Sequence, residues 1–137
     1  MEKRNYDHIK VGEKKSFSKT ITESDIFAFC GITGDFNPMH VDEVFSSQTR
    51  FKGRIAHGML VAGLVDQTLT AIMGQGGIHV SQQVVFKAPV KIGDTITVTS
   101  EVNEKVTEKR RIMITSTWTN HDGITVMTGK SECFLPA

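Results

Sequence analysis

His57-Gly58-Met59-Leu60-Val61-Ala62-Gly63-Leu64-Val65-Asp66-Gln67-Thr68-Leu69-Thr70-Ala71-Ile72-Met73 is the segment whose reading decides the fold. Wound at 3.6 residues per turn, it carries apolar residues almost all the way round, as a buried helix does. A helix of that kind needs a sheet to wrap it. Gly74-Gln75-Gly76-Gly77 follows and marks a seam between a helical first half and a strand-rich second half. Beyond the seam, Ile78 to Phe86, Thr95 to Glu104, Arg110 to Thr119 and Ile124 to Phe134 are rich in Val, Ile and Thr and read as strands. Lys91-Ile92-Gly93-Asp94, Thr107-Glu108-Lys109 and Asn120-His121-Asp122-Gly123 punctuate them as turns. Consecutive strands on short turns pair antiparallel. The expected architecture is α+β: a curved antiparallel sheet wrapped around one long central helix.

Upstream of that helix, Ser16 to Ile21 alternates weakly and reads as a short strand. Thr22-Glu23-Ser24-Asp25 has the form of a helix start, with Thr22 as N-cap and acidic residues in the first turn. Gly31 or Gly34 ends that helix. Asp42 is placed to cap a short helix through Val44 and Phe45, and Phe51 to Ile55 is an irregular basic stretch. No internal repeat, low-complexity stretch or flexible linker interrupts residues 1–137, which read as a single domain.

Composition narrows the function classes. At 137 residues the chain fits one core, and 39% hydrophobic with 23% charged residues is ordinary for a globular domain. Sixteen Lys and Arg against fifteen Asp and Glu leave a formal charge of +1, with no basic and aromatic patch, so nucleic acid is not an expected partner. No apolar stretch suits a membrane span or a signal segment, and the expected location is cytoplasmic. Cys30 and Cys133 are too far apart in sequence for a metal-ligand pair and are expected to stay reduced and packed.

Chemistry is concentrated in Gly34-Asp35-Phe36-Asn37-Pro38-Met39-His40. Gly, Asp and Asn-Pro are turn-forming residues, so one reading makes Asp35 a holder of a turn and His40 a lead into the next helix. The other reading uses the spacing. A carboxylate and an imidazole five positions apart across a Pro-stiffened loop can converge on one water molecule, the minimum equipment for general acid–base catalysis. His57-Gly58 at the head of the apolar helix adds free backbone N–H groups able to hold an oxyanion.

The stretch Phe29 to Asp42, with its Gly-Asp-Phe-Asn-Pro-Met-His motif, and Gly53-Arg54-Ile55-Ala56-His57-Gly58-Met59-Leu60 resemble the MaoC-like (R)-specific enoyl-CoA hydratases of the hot-dog fold. Ser81 to Phe86, Pro89-Val90, Gly93-Asp94-Thr95 and Gly129 to Pro136 fall where that family has strands, so the resemblance covers nearly the whole chain. It implies that Asp35 and His40 are the catalytic pair, that Asn37 is the polar residue of the same motif, and that the Gly58 amide receives the thioester oxygen. The implied reaction is reversible syn hydration of a trans-2-enoyl thioester, with coenzyme A as part of the substrate. No metal or redox cofactor is required, because hydration changes no oxidation state. At least a homodimer is implied.

Further substrate-binding candidates follow from position. Lys52, Arg54 and Lys87 are the basic residues nearest the site elements and suit phosphate contacts. Asp66, two turns into the helix, would favour a short acyl chain if it faces the acyl pocket. His57 reads as a satisfied buried histidine or as a contact to substrate. Met59, Met73 and Phe86 read as core filler, Phe86 being also a candidate for the pocket wall. A carrier-protein dehydratase, a non-catalytic acyl-thioester binder and a thioesterase are the competing readings.

Overall fold

The computed structural model describes residues 1–137. Its elements are β1 (Lys14–Thr20), α1 (Glu23–Thr33), α2 (Pro38–Val41), α3 (Glu43–Ser47), α4 (Gly58–Ala62), α5 (Val65–Met73), β2 (Ile78–Phe86), β3 (Thr95–Val106), β4 (Arg111–Thr119) and β5 (Thr125–Phe134). All five strands join one antiparallel sheet in the order β1-β3-β4-β5-β2. The expected strands are all present: β2 keeps its expected bounds, and the other four are shifted by one or two residues at their ends. Register shifts between His79 and Ser81, Val102 and Glu104, and Trp118 and Thr119 place bulges that bend the sheet.

Period-two patterning decides which face of the sheet takes the helix. Ile96, Val98, Ser100 and Val102 of β3 are buried, as are Ile112, Ile114, Ser116 and Trp118 of β4. The serines on this face are matched: Thr68 Oγ1 of α5 lies 2.7 Å from Ser100 Oγ, which lies 2.7 Å from Ser116 Oγ. Such a chain satisfies polar groups that burial would otherwise leave unpaired. Trp118, fully buried, donates from its indole Nε1 to the Val61 carbonyl of α4 at 2.9 Å. Deleting a ring of that size from a core typically costs about 3–5 kcal/mol.

The central helix departs from expectation in two ways. It is one element in two pieces, because Leu64 N–H donates to Val61 and Asp66 N–H to Gly63, a local 3-10 tightening between α4 and α5. It is also one-sided: Val61, Ala62, Val65, Thr68, Leu69, Ile72 and Met73 are buried, while Gly63, Asp66 and Gln67 are exposed. A single five-stranded sheet covers only one flank, so the apolar excess read from the sequence does not translate into burial all round.

Both ends of the scaffold are pinned. Thr22 caps α1 in a reciprocal capping box with Asp25. Gly34, and not Gly31, ends the helix, with φ 80° in the left-handed region where glycine carries no Cβ penalty. At the C-terminal end of α5, Arg4 donates to the Ile72 carbonyl at 2.7 Å and pairs with Glu13. A cation there complements the helix dipole. The hydrogen bond from Arg4 holds the Glu13 carboxyl below its ordinary value, against the opposing effect of partial burial.

Candidate active site

The site is built by three turns of chain that meet at the head of α4. After Gly34 the backbone enters an Asx turn: Asp35 N–H donates to Thr33 Oγ1 at 3.2 Å, and Asn37 N–H donates to Asp35 Oδ1 at 3.1 Å. Asn37 then caps α2, its Oδ1 accepting from Met39 N–H at 3.1 Å, with Pro38 at the first helical position. One turn later His40 points inward and is buried. Every polar atom of Asp35 except Oδ2 is therefore committed to shaping the loop or to a neighbour.

His40 is oriented by its backbone surroundings. Its Nδ1 lies 2.7 Å from the Ile55 carbonyl, an acceptor only, so the proton sits on Nδ1 and Nε2 keeps its lone pair in the neutral ring. Nε2 lies 3.9 Å from Asp35 Oδ2. That gap is too long for a direct hydrogen bond, yet one water oxygen can touch both groups at about 2.8 Å each. The His40 carbonyl accepts from Arg54 Nε at 2.6 Å, and Arg54 also pairs with Glu23 at the start of α1.

His57 is the second imidazole. Its ring stacks on that of His40 with centroids 3.8 Å apart and planes inclined by 25°, and Phe29 packs against it at 4.8 Å. Nε2 donates to the Asp35 main-chain carbonyl at 3.0 Å, while Nδ1 is buried with no partner. An unpaired buried acceptor costs about 1–3 kcal/mol. Next in the chain, Gly58 opens α4, and no side chain caps that helix end. The Gly58 N–H has no intrahelical acceptor, and Gly58 is part of the cavity wall.

These groups border a cavity of about 750 Å³. Phe29, Phe51, Met59, Phe86 and Met127 supply apolar walls, Asp35, His40, His57 and Gly58 gather at one side, and Arg50 and Lys87 are its cations. Asp35, His40 and His57 each offer a ligand atom within 4.8 Å of the others, the composition of a metal site. Their geometry does not suit one. Nε2 of His57 already carries a proton toward the Asp35 carbonyl, and Nδ1 of His40 is held by the Ile55 carbonyl, so the set as folded offers a metal only Nε2 of His40 and Oδ2 of Asp35 at this point.

Residues 7–122 match the MaoC like domain. The chain belongs to the MaoC-like family. It is 45% identical over 133 residues to an (R)-specific enoyl-CoA hydratase of Rhodospirillum rubrum, covering 96% of this chain and 92% of that protein. It is 39% identical over 132 residues to a 3-hydroxybutyryl-CoA dehydratase of Methylorubrum extorquens, covering 96% and 83%. The (R)-hydratase of Aeromonas caviae involved in PHA biosynthesis superimposes with a TM-score of 0.90 at 34% identity, over 94% of this chain and 98% of that one. The hot-dog fold expected from the sequence is thereby shared with a hydratase structure.

In this MaoC-like chain the sequence candidates divide. Asp35, His40, His57, Gly58, Phe86 and Lys87 come together at the cavity. Phe86 and Met59 are exposed wall residues and not core filler, whereas Met73 is core. Arg54 is removed from the phosphate-binding candidates because its Nε and Nη1 donate to the His40 carbonyl and Glu23 while its Nη2 is buried without a partner, and it is not part of the cavity wall. Lys52 is exposed outside the cavity lining. Asp66 is likewise off the wall, 71% exposed and 3.3 Å from His79, so its charge gives no reason for a short acyl chain. Asn37 is occupied as the cap of α2. Arg50 was not signalled by its sequence context, and only the fold brings it to the cavity alongside Lys87.

Proposed function

We propose that this MaoC-like protein is an (R)-specific enoyl-CoA hydratase, adding water reversibly to trans-2-enoyl-CoA thioesters. The observation that carries the reading is the 3.9 Å gap between Asp35 Oδ2 and His40 Nε2, at the wall of an apolar cavity and beside the Gly58 amide. The relatives named above, an (R)-specific enoyl-CoA hydratase and a 3-hydroxybutyryl-CoA dehydratase, support both the reaction and its substrate class.

Water held between Asp35 and His40 attacks Cβ of the enoyl group. The pair accepts one water proton as the Cβ–O bond forms and returns a proton to Cα on the same face, so the Cα=Cβ π bond and one O–H bond of water are exchanged for a C–O and a C–H bond with no net proton change. Negative charge gathers on the thioester oxygen during attack, and the Gly58 N–H stabilises it. Dehydration is the same path reversed. The side-chain pair supplies the proton transfers, so the mechanism routes no step through a metal.

A short acyl chain is proposed on the strength of the four-carbon substrate in one relative's name. Phosphate contacts fall to Arg50 and Lys87, which are exposed at the cavity and have no carboxylate partner. A homodimer is supported by a contrast between sheet edges. Edge strand β1 carries Lys14, Lys15 and Lys19, charges that blunt an edge, while edge strand β2 exposes Ile78, Val80, Val85 and Phe86. A cytosolic location is supported by two free, buried cysteines, and no helix is long and apolar enough to cross a membrane.

One assay tests the reaction. Crotonyl-CoA is mixed with the protein, the enoyl absorbance is followed, and the product is offered to a dehydrogenase specific for the (R)-3-hydroxy isomer. Loss of absorbance with (R) product and no free thiol is expected. Release of thiol would instead indicate a thioesterase, and faster turnover of the carrier-protein thioester would move the enzyme to fatty acid synthesis.

A further inference from the structure

We infer that His57 is a positioning residue that locks the Asp35 peptide in place and fixes the geometry between the acid–base pair and the oxyanion donor. The inference rests on reading Asp35 and His40 as that pair. Three contacts of one buried ring carry it. Its Nε2–H donates to the Asp35 carbonyl at 3.0 Å, its face covers His40 at 3.8 Å, and its own backbone runs directly into Gly58. A displacement of His57 therefore moves Asp35, His40 and the Gly58 N–H relative to one another.

The alternative of a plain core residue is answered by Nδ1. Buried without a partner, it would be avoided by Phe at the same position, which would keep the stack against His40 and Phe29. What Phe cannot supply is the donor at Nε2. The Asp35 carbonyl accepts no other hydrogen bond from the chain, and the Asp35 carboxylate is half exposed, so this contact is what holds the Asp35 peptide to the interior. The ring reaches the reaction only through Asp35 and His40. Its Nε2 is 4.0 Å from Asp35 Oδ2 and is already donated elsewhere, which leaves it no proton-transfer role.

Two substitutions separate the donor from the ring. His57→Phe keeps the packing and loses the donor, whereas His57→Gln loses the stack and keeps an N–H at the reach of Nε2. With crotonyl-CoA, His57→Phe is expected to lower kcat about 30- to 100-fold while KM stays within about twofold, the scale of an ångström-sized misplacement of a catalytic group. His57→Gln should recover most of that loss. Thermal denaturation of both proteins checks that each is folded. Wild-type kcat in folded His57→Phe, a loss confined to KM, or equal losses in the two folded variants would each overturn the inference. Asp35→Asn and His40→Gln are measured in the same assay. If they retain turnover, the acid–base reading falls and the role of His57 falls with it. If they are inactive and His57→Phe is not, only the role of His57 is lost.

Discussion

Of the histidine–carboxylate pairs beside the central helix, His79–Asp66 is tighter than His40–Asp35, and the tighter one is the poorer candidate for chemistry. His79 Nδ1 is 3.3 Å from Asp66 Oδ1, and its Nε2 is 2.8 Å from Gln82 Oε1, which also accepts from Ser131. Both ring nitrogens are occupied and the carboxylate stands in solvent. The Asp35–His40 pair is looser, at 3.9 Å, but one nitrogen of His40 is tied to Ile55 and the other is free beside an apolar cavity. Closeness marks an ion pair. A gap with one lone pair on each side marks a place for a reactant.

That contrast can be broken most directly by exchanging the pairs' roles in mutagenesis. Asp35→Asn or His40→Gln is expected to lower kcat for crotonyl-CoA by about 10²- to 10⁴-fold with little change in Tm, the usual worth of a positioned acid or base. Residual turnover near the wild-type level in either folded variant would make the loose pair no better than the tight one. The support behind His40 gives a smaller effect. Arg54→Met removes the donor to the His40 carbonyl, and kcat should fall about tenfold together with a loss of several degrees in Tm. A wild-type rate would mean that His40 is held without it.

A third substitution loosens the scaffold at the far end of the helix, away from both pairs. Glu13→Gln should lower Tm by a few degrees at pH 7 and leave kcat unchanged. Glu13 has a depressed folded pKa, so its contribution is fully present above the ordinary carboxylate value of 4.5 and is lost as pH falls through the folded value. The Tm difference between variant and wild type should accordingly shrink in acid, as thermal melts across that range would reveal. A gap that persisted in acid would place the effect outside the Arg4–Glu13 pair. The smallest expected effect belongs to the tight pair itself: Asp66→Asn and His79→Gln should each stay within about twofold in kcat, as an exposed ion pair warrants. A tenfold loss would bring that region into the site.

The architecture was legible because its signals are local and repeated. Val, Ile and Thr at period two gave the strands, Thr22 and Asp42 announced helix starts, and both cap as expected. Asp35, His40 and Gly58 were legible because loop chemistry and helix-end chemistry can be read from short spacings. What escaped were facts set by partners distant in sequence. Arg54 looked like a free cation because nothing local reveals Glu23 or the His40 carbonyl as its acceptors. Which way Asp66 faces could not be read because a helix projection does not say which flank the sheet leaves bare. Phe86 ends a strand and resembles core, yet its ring lies so close to Gly58 that a Cβ there would approach it to 2.6 Å. Arg50 had no motif at all.

Trp118 is the only tryptophan in the chain, fully buried and hydrogen-bonded to Val61 within the short helix that Gly58 opens. The protein therefore carries its own optical gauge of that helix. Detachment of α4 from the sheet would break the indole hydrogen bond, admit water and shift the emission to the red, while a mutation that disturbs only the proton-transfer groups would leave the spectrum alone. Loss of catalysis and loss of seating can be told apart on the same sample, without a label and before any substrate is added.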